Sequence, residues 1–238
     1  MRESNVELQV AVGNKIFVFG KAKGTLDKLK VGMNVLHFSQ SSMDEASSNE
    51  FSTVMWKKQK DGSILIKSSY KPWPNSLSWT VFADGRLKLE VSSPSSEISN
   101  SKWAGLGFNY PDQLLNQISW NSSDSESGNW KNLQFTPMAD PTLEIEGNPT
   151  GFLMQIRSVK MEFESVILDV STETSDIFLG LGDYQNPDSS YPTAVSDLVF
   201  YFNPPLQEID KPLQSPSDQS SFRPNQPKEQ LVLWFHFR

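Results

Sequence analysis

The sequence predicts an all-β fold of antiparallel sheets packed face to face, and three observations carry that expectation. Apolar and polar residues alternate over many short stretches, the period that turns one face of a strand toward a core. Gly-Asn and Asp-Gly pairs punctuate those stretches where hairpin turns would fall. No stretch sustains an amphipathic helical period; the best short helical candidate is Asp112 to Gln117, after Tyr110-Pro111.

Taken in order, Val6, Leu8, Val10 and Val12 alternate with Glu7, Gln9 and Ala11, and Gly13-Asn14 turns the chain into KIFVFG from Lys15. Leu26, Leu29 and Val31 make the next strand, with a second turn signal at Gly32. Phe51 to Gln59 runs into Asp61-Gly62, a two-residue hairpin signal, and Ile64, Leu65 and Ile66 return from it. In SWTVFADGRLKLEV, Trp79, Val81 and Ala83 are expected on one face. Asp84-Gly85 then turns the chain, and Leu87, Leu89 and Val91 answer from the partner strand. Phe152, Met154 and Ile156 read as one strand, and Met161, Phe163, Val166 and Leu168 as another. Ile177 to Leu181, Val195 to Phe202 and Gln230 to Phe237 complete the set.

Six prolines lie between Pro204 and Pro227 among Ser, Gln, Asp and Lys, so about 204–228 is expected as a long surface excursion. Too little chain follows it to make a second domain. Residues 1–238 therefore read as one domain whose closing strand returns into the main sheet.

Composition narrows the function. Hydrophobic residues make up 37% of 238, enough for a core, and 21% are charged, which argues against general disorder. The net charge of −7 argues against a nucleic-acid backbone or an anionic membrane surface as partner. With no cysteine there is neither a disulfide nor a thiolate metal site. No apolar run approaches the ~20 residues of a membrane helix. The opening MRESNVELQV alternates at once and lacks a signal-peptide apolar core. A soluble domain without metal or cofactor is the expectation, open to neutral ligands such as sugars or to another protein surface.

Catalytic constellations are scarce. The two histidines, His37 and His236, sit inside strand-like runs without a nucleophile motif and read as structural or solvent-facing. Glu162 and Glu164, like Glu144 and Glu146, are spaced as paired carboxylates could be, but read as a solvated strand face. LGLGD at Leu179 to Asp183 lacks the following helix of a phosphate cradle. The aromatics are richer: seven Trp, five Tyr and fifteen Phe. Sugar rings pack their CH faces on indoles and need amide, carboxylate or ammonium groups for their hydroxyls. Trp120, Asn129, Trp130, Lys131 and Asn132 supply that mixture around one polar loop and are the candidate carbohydrate-binding residues.

A resemblance enters with these residues. WAGLGFNYPDQLLNQISW followed by GNWKN is similar to the C-terminal domain of bacterial family 2 glycoside hydrolases, the β-galactosidase-like enzymes. There an LG-type strand leads to a short acidic turn, a strand ending in Trp, and a glycine-bearing loop to an aromatic-Lys-Asn cluster. VELQVAVGNKIFVFGKAKGTLDKLKVGMNVL, QKDGSILIKSSY, SWTVFADGRLKLEV, DIFLGLG and LVLWFHF also follow in the expected order, so nearly the whole chain is covered.

The resemblance implies a large antiparallel β-supersandwich, galactose mutarotase-like in shape. It also implies that the catalytic carboxylates lie in a separate (β/α)8 barrel belonging to a periplasmic or secreted parent enzyme. Its implied partners are that barrel and a β-galactoside-like glycan, with Trp120 at the position that stacks on sugar in some relatives. A stand-alone carbohydrate-binding module is the alternative. A mutarotase-like enzyme is another, and it requires a His and a carboxylate to converge.

Overall fold

The computed structural model describes residues 1–41, 50–71, 76–92, 105–111, 114–121, 128–131, 134–137, 145–146, 153–175, 177–181, 196–201 and 230–238. Of these, 128–131, 134–137, 145–146, 153–155 and 181 are described by their backbone. The strands follow the alternation. They run β1 (Arg2–Glu3), β2 (Glu7–Val12), β3 (Lys15–Gly20), β4 (Leu26–Val31), β5 (Asn34–Leu36) and β6 (Ser39–Gln40). The chain continues through β7 (Glu50–Lys58), β8 (Ile64–Lys71), β9 (Leu77–Val81), β10 (Arg86–Ser92), β11 (Gly105–Asn109) and β12 (Leu115–Asn121). Next come β13 (Gly128–Lys131), β14 (Gln134–Pro137), β15 (Ile145–Glu146), β16 (Leu153–Ile156) and β17 (Ser158–Phe163). The last are β18 (Ile167–Thr172), β19 (Ile177–Leu181), β20 (Leu198–Tyr201) and β21 (Gln230–Phe237).

These strands make three antiparallel sheets, so the expected all-β class of large antiparallel sheets is what the structure has. One sheet takes β1 to β5 in sequence order. The largest has eleven strands, ordered β15-β14-β13-β12-β17-β18-β21-β10-β9-β8-β7, and a third is ordered β16-β19-β20-β11-β6. The closing strand does return to the main sheet: β21 sits in its middle, Leu233 opposite Leu89 of β10 and Val170 of β18 opposite Phe235.

Alternation decides which face is buried. Leu231, Leu233, Phe235 and Phe237 have no exposed surface, while Val232, Trp234 and His236 between them are half-buried. The inner face of the large sheet meets both smaller sheets through rings. Phe17 and Phe19 of β3 pack on Phe237 and Trp79, with centroids 6.3 and 6.1 Å apart. Phe38 stacks on Phe108 of β11 at 5.2 Å and 16°, and Phe108 reaches Phe235 at 5.4 Å. Each such buried ring stabilises by roughly 1.5–3 kcal/mol through its removal from water.

The turns obey their residues with one change. Gly13-Asn14 is the expected two-residue connection, Val12 pairing with Lys15 and Gly13 at φ 56°. Both Asp-Gly hairpins instead use three-residue loops closed by a left-handed glycine. Gly62 and Gly85, at φ 86° and 80°, donate their N–H groups to Gln59 O and Phe82 O at 3.1 and 3.0 Å. Asp61 Oδ1 accepts the Ser63 N–H, and Asp84 Oδ1 accepts the Arg86 N–H, both at 3.0 Å. Ala83 lies inside the second loop and is exposed, so the apolar alternation of β9 stops at Val81.

Two further expectations are corrected. The helix expected at Asp112 to Gln117 is reduced, among the described residues, to a 3-10 turn at Leu114. Leu114 donates to Pro111 O at 3.0 Å in a single turn, and Leu115 onward is β12, paired with β17. Ladder pairing on both sides overrides the weak local preference of Leu-Leu-Asn-Gln. The strand expected from Met161 to Leu168 is two, β17 and β18, joined by Glu164-Ser165, with Phe163 N–H donating to Val166 O at 2.9 Å. The apolar positions change phase there, from odd to even, which a continuous strand cannot do. Residues 204–228 lie outside the described residues.

Candidate functional site

The motif behind the resemblance falls on three successive strands. Gly105–Asn109 is β11, the chain turns through Tyr110 and Pro111, Leu115–Asn121 is β12 and Gly128–Lys131 is β13. Trp120 lies one residue before the end of β12, 5% exposed and part of the core cluster. It stands opposite Gly128 on one side and Val159 on the other. Trp130 pairs with Ile118 and Phe135, Asn129 with Ser119 and Thr136, and Lys131 with Gln117 and Gln134. Four of the five carbohydrate candidates are thus gathered on one hairpin, and Asn132 lies outside the described residues.

A second cluster, missed from the sequence, occupies the outer face of the large sheet. Trp234 of β21 is its centre. Its register partners are Lys88 of β10 and Ser171 of β18. Phe82 stacks with the indole at 5.2 Å and 27°. The Arg86 guanidinium carbon lies over the ring at 5.1 Å and the Lys88 ammonium at 5.5 Å. The indole Nε1–H donates to Glu173 Oε1 at 2.6 Å. Each cation also has a carboxylate two residues away: Arg86 Nε meets Asp84 Oδ2 at 2.7 Å, and Lys88 Nζ meets Glu90 Oε1 at 2.9 Å. Lys88 and Glu90 share a face of β10, as residues two apart on a strand do, whereas Asp84 reaches Arg86 from the β9–β10 loop. The signal was present in QLVLWFHF, where every second residue from Val232 must face away from the core; the density of apolar residues hid it.

His236 belongs to the same face. Arg86 and Asp169 are its register partners. Burial holds its imidazole below the ordinary value of 6.5, Lys15 and Arg238 add to that, and Asp169 opposes them. Asp169 itself is bound by Arg238 Nη2 at 2.5 Å. Beneath the β9–β10 turn, burial pushes Lys15 down from its usual value while Asp84 pulls it back. The Arg86 backbone N–H holds Asp84 below the usual carboxylate value, with the Arg86 side chain helping.

The remaining expectations are placed as follows. His37 is exposed between buried Leu36 and Phe38. Glu162 is half-buried and ion-paired with Lys160, and Glu164 is exposed in the β17–β18 turn rather than on the strand. Among the described residues no group of His, Cys, Asp and Glu could hold a metal ion, and no helix is long and apolar enough to cross a membrane.

No family model matches the chain, and no curated protein matches it. Among solved structures it is similar to a protein from Escherichia coli K12 with the provisional description aldose 1-epimerase. The likeness covers 98% of each chain at 9% identity and a TM-score of 0.44. A likeness of that order assigns no residue a role.

Proposed function

We propose that the chain is a non-catalytic β-sandwich domain of a β-galactosidase-like glycoside hydrolase, packing against a catalytic barrel and contributing carbohydrate contacts at the β12–β13 hairpin. One observation supports this reading above the others. The described strands between Gly105 and Lys131 follow as strand, turn, strand and strand in the order that the resembling family requires, with Trp120 as the buried anchor of the hairpin. Asn129, Trp130, Lys131 and Asn132 then supply the ring and the polar groups a neutral sugar needs.

The test follows tryptophan fluorescence while galactose and short β-galactosides are added to wild type, Trp120→Phe and Trp130→Phe. A saturable change lost in either variant is expected. Flat responses in all three would remove the sugar contact. Release of aryl-galactoside leaving group, abolished in Glu162→Gln or Glu164→Gln, would overturn the non-catalytic assignment.

A second reading, a mutarotase-like enzyme, is favoured by His236 standing in register with Asp169 on an open sheet face. It predicts faster mutarotation of α-galactose by polarimetry, lost in His236→Gln.

A further inference from the structure

We infer that the outer face of the large sheet around Trp234 is a separate surface for neutral saccharides. It rests on residues other than the β12–β13 hairpin and stands or falls apart from it. Three features argue for it.

The first is position. Leu233 and Phe235 are wholly buried, so alternation sends the indole of Trp234 to the opposite face, where it is only half-buried. An indole on the outer side of a central strand is a large apolar surface where the pleat asks for a polar one.

The second is fixation. Phe82 lies nearly parallel to the ring, and Glu173 takes the Nε1–H. The stacked rings, with Arg86 and Lys88 lying over the indole, form one aromatic shelf whose orientation is set before any ligand arrives, which lowers the ordering cost of binding.

The third is the charge around the shelf. Arg86 is answered by Asp84 from the β9–β10 loop, and Lys88 by Glu90 on the same strand. Cations and carboxylates alternate, so the surface offers no net field to attract a polyanion or a polycation. It does offer donors and acceptors side by side, which vicinal hydroxyls can bridge while CH groups rest on the part of the aromatic pair that the two cations leave uncovered. The occupant these features fit is an uncharged sugar.

The test is an NMR titration of the whole chain, following the indole N–H signals, with the Trp234 signal identified by its loss in Trp234→Phe. The probes are galactose, lactose, a cello-oligosaccharide and, as a charged comparison, a sulfated oligosaccharide. A saturable movement of the Trp234 signal with at least one uncharged sugar is expected. By fluorescence or calorimetry, Trp234→Phe should then bind that sugar about tenfold more weakly, a change of roughly 1.4 kcal/mol. Lys88→Gln, which leaves the aromatic shelf in place, should weaken it several-fold with an unchanged circular dichroism spectrum. A motionless Trp234 signal overturns the inference, as does tighter binding of the sulfated sugar. Movement confined to the Trp120 and Trp130 signals supports the hairpin contact and also overturns this one.

Discussion

Replacing Phe235 by Ala should be among the most damaging single changes in this chain. Its ring has no exposed surface and contacts four others: Trp79 at 5.3 Å, Phe108 at 5.4 Å, Phe38 at 6.1 Å and Phe200 at 6.4 Å. Loss of burial alone is worth roughly 1.5–3 kcal/mol. Each tilted or edge-on ring contact adds about 0.5–1.5 kcal/mol at most, and such terms overlap. The neighbours come from β9, β11, β20 and the β5–β6 link and brace one another, so the space left behind cannot close. We therefore expect the upper part of the ~3–5 kcal/mol found for Phe→Ala substitutions. Against a total stability on the order of 5–15 kcal/mol, that is a large fraction. Urea unfolding should show a lower midpoint with an unchanged slope. His236→Ala, next along the strand but on the outer face, should stay within about 0.5 kcal/mol. A loss below roughly 1.5 kcal/mol for Phe235→Ala, well under that ~3–5 kcal/mol range, would refute the packing argument. Equal losses for the two variants would refute the face assignment.

Other outcomes follow from single features. Gly85→Ala should cost about 1–2 kcal/mol for its left-handed backbone and more for the Lys15 side chain, whose Cδ and Nζ a new Cβ would meet at 3.1 Å. Gly13→Ala, with nothing within 4 Å, should cost only the backbone part by thermal melting. Asp84 has its folded value held below 3.8, so its contribution is full above that value and lost as pH falls through the depressed one. Asp84→Asn should accordingly flatten the acid side of the stability-pH curve measured by urea unfolding. His236 should titrate below 6.5 by NMR, and Asp169→Asn, which removes the carboxylate opposing the shift, should move it lower still. Deleting 230–238 should abolish cooperative unfolding, because it removes the strand between β10 and β18.

Local signals were read where local chemistry decides the outcome. Asp61-Gly62 and Asp84-Gly85 announced their hairpins, since a side-chain carboxylate and a left-handed glycine act within a few residues. Loop length was misjudged by one residue, because the dipeptide fixes the glycine's conformation but not where the ladder stops. The break at Glu164-Ser165 was visible as a change of phase, yet easy to pass over in a dense apolar run. Assembly was less legible. Nothing in Phe38, Phe108 and Phe235 says that they will meet; 197 positions separate the first from the last, and only the three-sheet arrangement joins them. The candidate sugar residues were found as a composition around Trp120 and Trp130. The cluster around Trp234 escaped because its centre, Trp234, and its acceptor, Glu173, lie far along the chain from the Phe82 to Glu90 hairpin that surrounds the indole.

The central place of β21 has a consequence for the order of events in synthesis. The strands from β7 to β10 can assemble as one ribbon, and β12 to β15 with β17 and β18 as another, while the chain is still emerging. Until residues 230–237 have been made, β10 and β18 each present an unpaired row of amide and carbonyl groups. Those two rows match the same missing strand, so a neighbouring nascent chain could fill either of them in its place. Folding should therefore finish late, through contacts far apart along the chain, and slowly. The interval before closure is when this protein most needs a chaperone or dilution.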